Sequence, residues 1–137
     1  DMNNKVLGAQ AGSSGYLNFE AQSDLLKNQV KDQKANQYQS FNEALIDLKN
    51  DRIDALLIDR VYANYYLQSE GILNDYNVFS AGFESEAFAV GVRPADKTLL
   101  AALNQAFVAL YKEGKFQEIS QKWFGEDVAT KEVKSRD

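Results

Sequence analysis

Three short runs rich in strand-forming residues, each leading into a turn and then a helical pattern, constrain the first half of this chain more than any other feature. Lys5-Val6-Leu7-Gly8-Ala9-Gln10 closes on Ala11-Gly12-Ser13-Ser14-Gly15, which reads as a strand feeding a small-residue turn. Ser13 or Ser14 then caps a helix through Tyr16 and Phe19 toward Leu25 and Leu26, and the polar stretch 27–36 is its frayed end or a loop. Gln37-Tyr38-Gln39 is a short second strand. Behind it, Ser40-Phe41-Asn42-Glu43 is a capping box, in which two side chains satisfy free backbone N–H groups at a helix start. Phe41, Ala44, Leu45 and Leu48 recur at helical spacing, so that helix has one apolar face. Asn50-Asp51-Arg52 ends it. Ile53-Asp54-Ala55-Leu56-Leu57-Ile58 has the mostly apolar make-up of a strand covered on both faces. Asp59 follows, and residues 60–69 form a further helix packing through Val61, Tyr62, Tyr65 and Tyr66. Strand–helix pairs repeated within about 65 residues predict an α/β fold with a mainly parallel sheet and crossover helices.

The second half is less regular. Gly71 opens a loose connection through Asn74-Asp75-Tyr76, and Val78-Phe79 can add a further strand. Ala87-Phe88-Ala89-Val90-Gly91-Val92 is another apolar run, stopped by Arg93-Pro94. Asp96 stands at the N-cap of a helix carrying Leu99, Leu103, Ala106, Phe107 and Leu110. Gly114 breaks that helix. A shorter amphipathic one with Phe116, Ile119 and Trp123 ends at Gly125, where Trp123-Phe124 is expected to anchor it to a core. Residues 126–137 are polar and mixed in charge, as in a mobile tail.

Composition narrows the chemistry. The chain has neither Cys nor His, which removes thiol and imidazole nucleophiles, imidazole bases and most zinc sites, and leaves no disulfide to report a redox compartment. The net charge is −5, and the basic clusters at 27–34 and 131–136 are interrupted by acids. Nucleic acid as a partner calls for a concentrated basic face, so that class is excluded. No run approaches the roughly 18 to 20 apolar residues that cross a bilayer. Asp1-Met2-Asn3-Asn4 lacks the blocks of a signal peptide, so an exported protein would have lost its signal or carry it upstream.

Two places can hold chemistry. Small residues in Gln10-Ala11-Gly12-Ser13-Ser14-Gly15 let a ligand approach the backbone, and N–H groups at a helix start favour an anion such as a carboxylate or phosphate. The spacing fits neither a Walker A loop nor a dinucleotide fingerprint. The same serines also serve as plain helix caps. Asp59 sits at the carboxyl end of a buried strand, where open α/β sheets bind ligands, and can pair with an ammonium; it can equally be an N-cap. Taken together, an anion-favouring turn beside a carboxylate is the charge layout of an α-amino acid. Asp47, Asp51 and Asp54 straddle a helix and a strand instead of one calcium loop. No pair of residues has the character of a nucleophile and its base, so the expectation is a protein that is not an enzyme.

Five stretches, in order and spacing, resemble the polar amino-acid family of bacterial solute-binding proteins, the bilobal receptors of ABC importers. They are residues 6–15, 41–48 (Phe41 to Leu48), 52–59 (Arg52 to Asp59), 88–93 (Phe88 to Arg93) and Lys122-Trp123-Phe124-Gly125. The resemblance implies a type II periplasmic-binding-protein-like lobe at residues 5–83. Residues 84–125 would be the return crossing and closing helices of the first lobe, followed by the polar tail 126–137. It also implies that Gly12, Ser13 and Ser14 meet a ligand carboxylate, that Asp59 receives the α-ammonium and that Gln10 helps read the side chain. The family begins with most of a first lobe, which this sequence does not match. The expectation is therefore a carboxy-terminal portion whose last helices fold back on their own lobe or pair with another copy in a homodimer. The implied partners are a polar amino acid, an ABC permease and the missing N-terminal lobe, outside the cytoplasmic membrane, with no cofactor. Gln10 hydrogen-bonds amides or carboxylates, which points to glutamine, glutamate or cystine-like ligands. The alternatives are a ligand-binding sensor or receptor module, and a dehydratase built on the same fold.

Overall fold

Leu7, Gly8 and Ala9 are all buried, as befits the middle strand of a sheet whose two faces are both covered. In the computed structural model, which describes residues 1–135, β1 (Leu7–Gln10) lies between β2 (Ala35–Tyr38) and β3 (Ala55–Leu57). Both pairings are parallel, with Leu7 opposite Ala35 on one side and Ala55 on the other, and Ala9 opposite Gln37 and Leu57. Parallel neighbours require crossovers. These are α1 (Ser14–Ala21) before β2 and α2 (Phe41–Lys49) before β3, and α3 (Arg60–Ser69) follows the last strand. The α/β fold with a parallel sheet is as the sequence predicts.

On one face Leu7, Phe19, Leu26 and Val30 form a core, joined by the half-buried Tyr16, Ala35, Ala55, Leu57 and Phe83. Phe19 is fully enclosed, and burying such a side chain contributes about 1.5–3 kcal/mol. On the other face α2 packs on all three strands, burying Ala44 and Leu45, with Ile53 also buried before β3. Gly8 leaves room for the side chains on this face: a Cβ there would stand 2.6 Å from Ile53 Cδ1 and 3.0 Å from Tyr38 Cε2.

Several boundaries differ from expectation. α1 stops at Ala21 and gives way to a π turn at Ser23–Lys27 and a 3-10 turn at Lys31–Gln33. The polar stretch is not a free loop, because Leu26 and Val30 tuck into the core. Asp32 and Gln33 take positive φ (56° and 52°), and β2 begins at Ala35, ahead of the expected Gln37.

Contacts divide the chain into a sheet unit, Asp1–Ala63 with Asn77–Glu84, and a helical unit, Asn64–Tyr76 with the described residues from Ser85 onward. The helical unit contains the later residues of α3, a 3-10 turn at Leu73–Asp75, α4 (Lys97–Lys112), α5 (Lys115–Phe124) and α6 (Lys131–Ser135). Phe116 of α5 packs against Phe107 and Tyr111 of α4, each with ring centroids 6.3 Å apart. Gln68 Nε2 donates to the Lys122 carbonyl (3.3 Å), and Asn64 Nδ2 donates to Glu126 (3.0 Å). Among the described residues no helix is long and apolar enough to cross a membrane.

Three expectations for this half are corrected, and a fourth is refined. Val78-Phe79 and residues 87–92 form no strand; Phe79, Phe88 and Val90 are 66%, 75% and 55% exposed. A strand exists only through hydrogen bonds to a neighbour, and none of the described strands pairs with these segments. Asp96 is the N-cap of α4 as expected; its carboxylate is held by Arg93 Nε at 2.7 Å and makes no capping bond. Trp123 is 48% exposed and leans on Tyr65 (6.3 Å between rings) with Lys122 over its face, so it is no core anchor. The tail is not wholly free: α6 packs on α4, where Asp127 accepts from the Tyr111 hydroxyl (3.3 Å) and pairs with Lys134 (3.0 Å). The last two tail residues, 136 and 137, lie outside the described residues.

Candidate functional site

Because all three strands run the same way, their carboxyl ends and the loops into α1, α2 and α3 share one edge of the sheet unit. Gln10 closes β1. Its main-chain carbonyl accepts from Ser13 N (3.2 Å) and Ser13 Oγ (2.9 Å), which folds the loop back on the strand end. Gly12 has φ +71° with open space where a Cβ would lie, so it serves the left-handed turn and not a tight contact.

Ser13 caps α1: its Oγ accepts from Tyr16 N at 3.1 Å. The choice left open between the two serines thus falls on Ser13, and Ser14 becomes the first helical residue, exposed to solvent. The backbone N–H groups of Ser14 and Gly15 meet no acceptor among the described residues. They are the unsatisfied donors of a helix start, where the macrodipole also favours negative charge. A Cβ on Gly15 would stand 3.4 Å from Leu57 Cγ, so this helix start lies against the end of β3.

Asp59 follows β3 and is exposed. Oδ1 accepts from Tyr62 N at 2.9 Å and caps α3, while Oδ2 receives no hydrogen bond among the described residues. The carboxylate is therefore both a cap and a negative charge with one oxygen open. A positive helix start and an open carboxylate occupy neighbouring strand ends. Gln10, Gly12, Ser13, Ser14 and Asp59 are all on this edge.

Sequence reasoning missed Gln39. Its N–H donates to Glu43 Oε2 (3.1 Å), and its carbonyl accepts from Gln10 Nε2 (3.2 Å), so it ties the β2–α2 loop to the end of β1. The capping box was the available signal. Ser40 Oγ does accept from Glu43 N (3.3 Å), but the Glu43 carboxylate reaches one residue further back, to Gln39 instead of Ser40.

Two further acids of the sheet unit, Asp47 and Asp54, have structural roles. Asp47 accepts from Arg52 (2.8 Å) and from the Tyr38 hydroxyl (2.9 Å), and the Arg52 hydrogen bond, followed by that of Tyr38, holds its carboxyl below the usual range. Burial, with Asp47 beside it, pushes the Tyr38 phenol up. Asp54 accepts from Val6 N at 2.8 Å, and that N–H lowers its carboxyl.

This chain matches known proteins along most of its length. The model of bacterial extracellular solute-binding proteins, family 3, covers residues 23–126. An ABC uptake transporter substrate-binding protein from Streptococcus pneumoniae, solved with bound histidine, is 73% identical with a TM-score of 0.77, over 96% of this chain and 53% of that one. A polar amino acid ABC uptake transporter substrate-binding protein from Streptococcus thermophilus is 62% identical with a TM-score of 0.79, over 97% and 50%. The ABC transporter arginine-binding protein 1 of Escherichia coli is 30% identical over 90% of this chain and 49% of its own length. The chain thus spans about half the length of the relatives it matches.

Proposed function

Since this chain belongs to family 3 of the bacterial extracellular solute-binding proteins, we propose that it carries one ligand-gripping lobe of a receptor that captures a polar amino acid. The receptor works outside the cytoplasmic membrane and delivers its ligand to an ABC permease. The observation that carries the reading is the pairing of open N–H donors at Ser14 and Gly15 with the open carboxylate oxygen of Asp59 on one sheet edge. In this reading Gly12, Ser13 and Ser14 receive the ligand carboxylate, Asp59 receives the α-ammonium through a charge-assisted hydrogen bond, and Gln10 meets the side chain.

Residues 5–83 are then the second lobe, residues 84–125 the return crossing and closing helices of the first, and 126–137 a polar tail. The change of unit after Glu84 supports the end of that lobe, although Asn64–Tyr76 group with the helical unit. The exposed Leu99, Leu100 and Leu110 of α4 fit an element made to pack against the rest of a first lobe, or against a second copy. The relatives supply the ligand class: one holds histidine and another is named for arginine. Glutamine, glutamate and cystine belong to the same polar class. In this reading the role is binding, in keeping with relatives that are named as binding proteins.

Calorimetric titration of the natural full-length protein against the twenty amino acids and cystine tests this, with Asp59→Asn alongside. Asparagine can still cap α3 but brings no charge. One polar amino acid should bind tightly, and the variant should lose about tenfold to hundredfold in affinity with little change in thermal stability. A folded protein that binds none of them would leave these residues as features of the fold alone.

A further inference from the structure

Gln10 carries a second piece of information, in the way its amide is held. A glutamine side chain offers two donors and one acceptor oxygen, and in water it presents either end by rotation. Here the nitrogen end is fixed in direction: one of its two N–H groups donates to the main-chain carbonyl of Gln39 at 3.2 Å. That carbonyl is itself fixed, because the Gln39 N–H is bound by Glu43 Oε2 at 3.1 Å and the next residue starts a helix whose cap, Ser40, is bonded to Glu43 N at 3.3 Å. Turning the amide over would set Oε1 against the Gln39 carbonyl, two acceptors facing each other with no proton between them. Gln10 Oε1 has no hydrogen-bond partner among the described residues, and the side chain is only half-buried, so the oxygen is open at the edge that holds Ser14 and Asp59.

We infer that Gln10, oriented by the Gln39 carbonyl, is a specificity-determining acceptor that selects amino acids whose side chains end in an N–H donor and discriminates against acidic ones. The inference rests on the proposed reading of this edge as an amino-acid site, and it divides the polar class within it. Carboxamide, imidazolium, guanidinium and ammonium groups donate to Oε1. A glutamate or aspartate carboxylate only accepts, and meets an oxygen that cannot turn away. A site that hydrogen-bonds one ligand group rejects a near-isostere that leaves its own polar atom unpaired. Glutamine and glutamate, nearly equal in shape, are the sharpest probes.

The experiment is competition binding on the natural full-length protein with glutamine, glutamate, asparagine, aspartate, histidine, arginine and cystine, repeated with Gln10→Met and Gln10→Glu. In the parent the tightest ligand should carry a side-chain N–H, and glutamine should outbind glutamate by about tenfold or more. Methionine keeps length and bulk but removes the acceptor, so that preference should shrink toward parity at unchanged thermal stability. Glutamate at position 10 keeps acceptor oxygens and loses the bond to Gln39, and should retain the preference for donors, which a merely structural role of Gln10 would not produce. An acidic amino acid as the tightest ligand, or a glutamine-to-glutamate ratio unmoved by Gln10→Met, overturns the inference while the amino-acid site stands. Absence of binding to every probe overturns the site and this inference with it.

Discussion

The sheet unit and the helical unit are made of similar residues but held together in different ways. Among the described residues every buried hydrophobic side chain except Leu67 belongs to the sheet unit: Leu7, Ala9, Phe19, Leu26, Val30, Ala44, Leu45, Ile53 and Ala63. In the helical unit α4 buries none of its residues, and Leu99, Leu100 and Ile119 are 50%, 43% and 52% exposed. Its cohesion comes from aromatic edges around Phe116 and from hydrogen bonds such as Gln68 to Lys122 and Tyr111 to Asp127. Hydrophobic burial scales with area removed from water, whereas exposed polar contacts contribute little. A sheet closed on both faces by its own crossovers is thus self-sufficient, while an amphipathic helix pair completes its core only against another surface.

That contrast can be broken in order of severity. Phe19→Ala, which empties the centre of the sheet unit, should cost about 3–5 kcal/mol in urea denaturation followed by circular dichroism. A cost under about 1 kcal/mol would mean that this core is not what holds the unit together. A smaller effect should come with acid. The folded-state pKa values of Asp47 and Asp54 are lowered, by the Arg52 hydrogen bond and the Val6 N–H respectively. Their contribution is therefore complete above the ordinary carboxylate range and disappears as pH falls through their lowered values. Stability should drop on acidification below about pH 4, and Asp54→Asn should flatten that slope. An unchanged slope would show the Val6 contact to be absent in solution. The smallest effect should be Leu99→Gln on α4, within about 0.5 kcal/mol. A cost above about 1 kcal/mol there would reveal that the exposed face is covered in solution, and sedimentation would tell whether a second copy covers it.

The sequence was most readable where the determinants are local. The Ser13 cap, the Asp59 cap and the Ser40 half of the Ser40–Glu43 box each span three or four residues, and each forms as the side-chain chemistry dictates. Each strand was located because its apolar residues stand between turn and cap signals, though β2 was set too late since Ala35 and Asn36 lack strand-forming character. The reading failed where the partner is distant in sequence. Val78 and Phe79 have the composition of a strand, but composition does not supply a neighbour's hydrogen bonds. Trp123 was read as a core residue from its size, whereas its packing depends on Tyr65, more than fifty positions earlier in the chain. At the candidate site the charges were visible from residue type and position. The Gln10–Gln39 tie was not, because it joins a side chain to a main-chain oxygen, and only the register of β1 with β2 brings those two together.

The helix caps at the sheet edge have a consequence for how such a protein changes over generations. Ser13 and Asp59 each commit an oxygen to starting a helix, so a substitution there that removed the capping oxygen would also carry a folding penalty. Gln10 carries no such burden, since its side-chain bond ties two loops and caps nothing. Under the proposed reading of this edge, ligand preference can drift at Gln10 at little cost to folding, while the groups proposed to address what all amino acids share are tied to the integrity of the fold. A lineage under selection for a new nutrient would explore the first position and leave the other two in place.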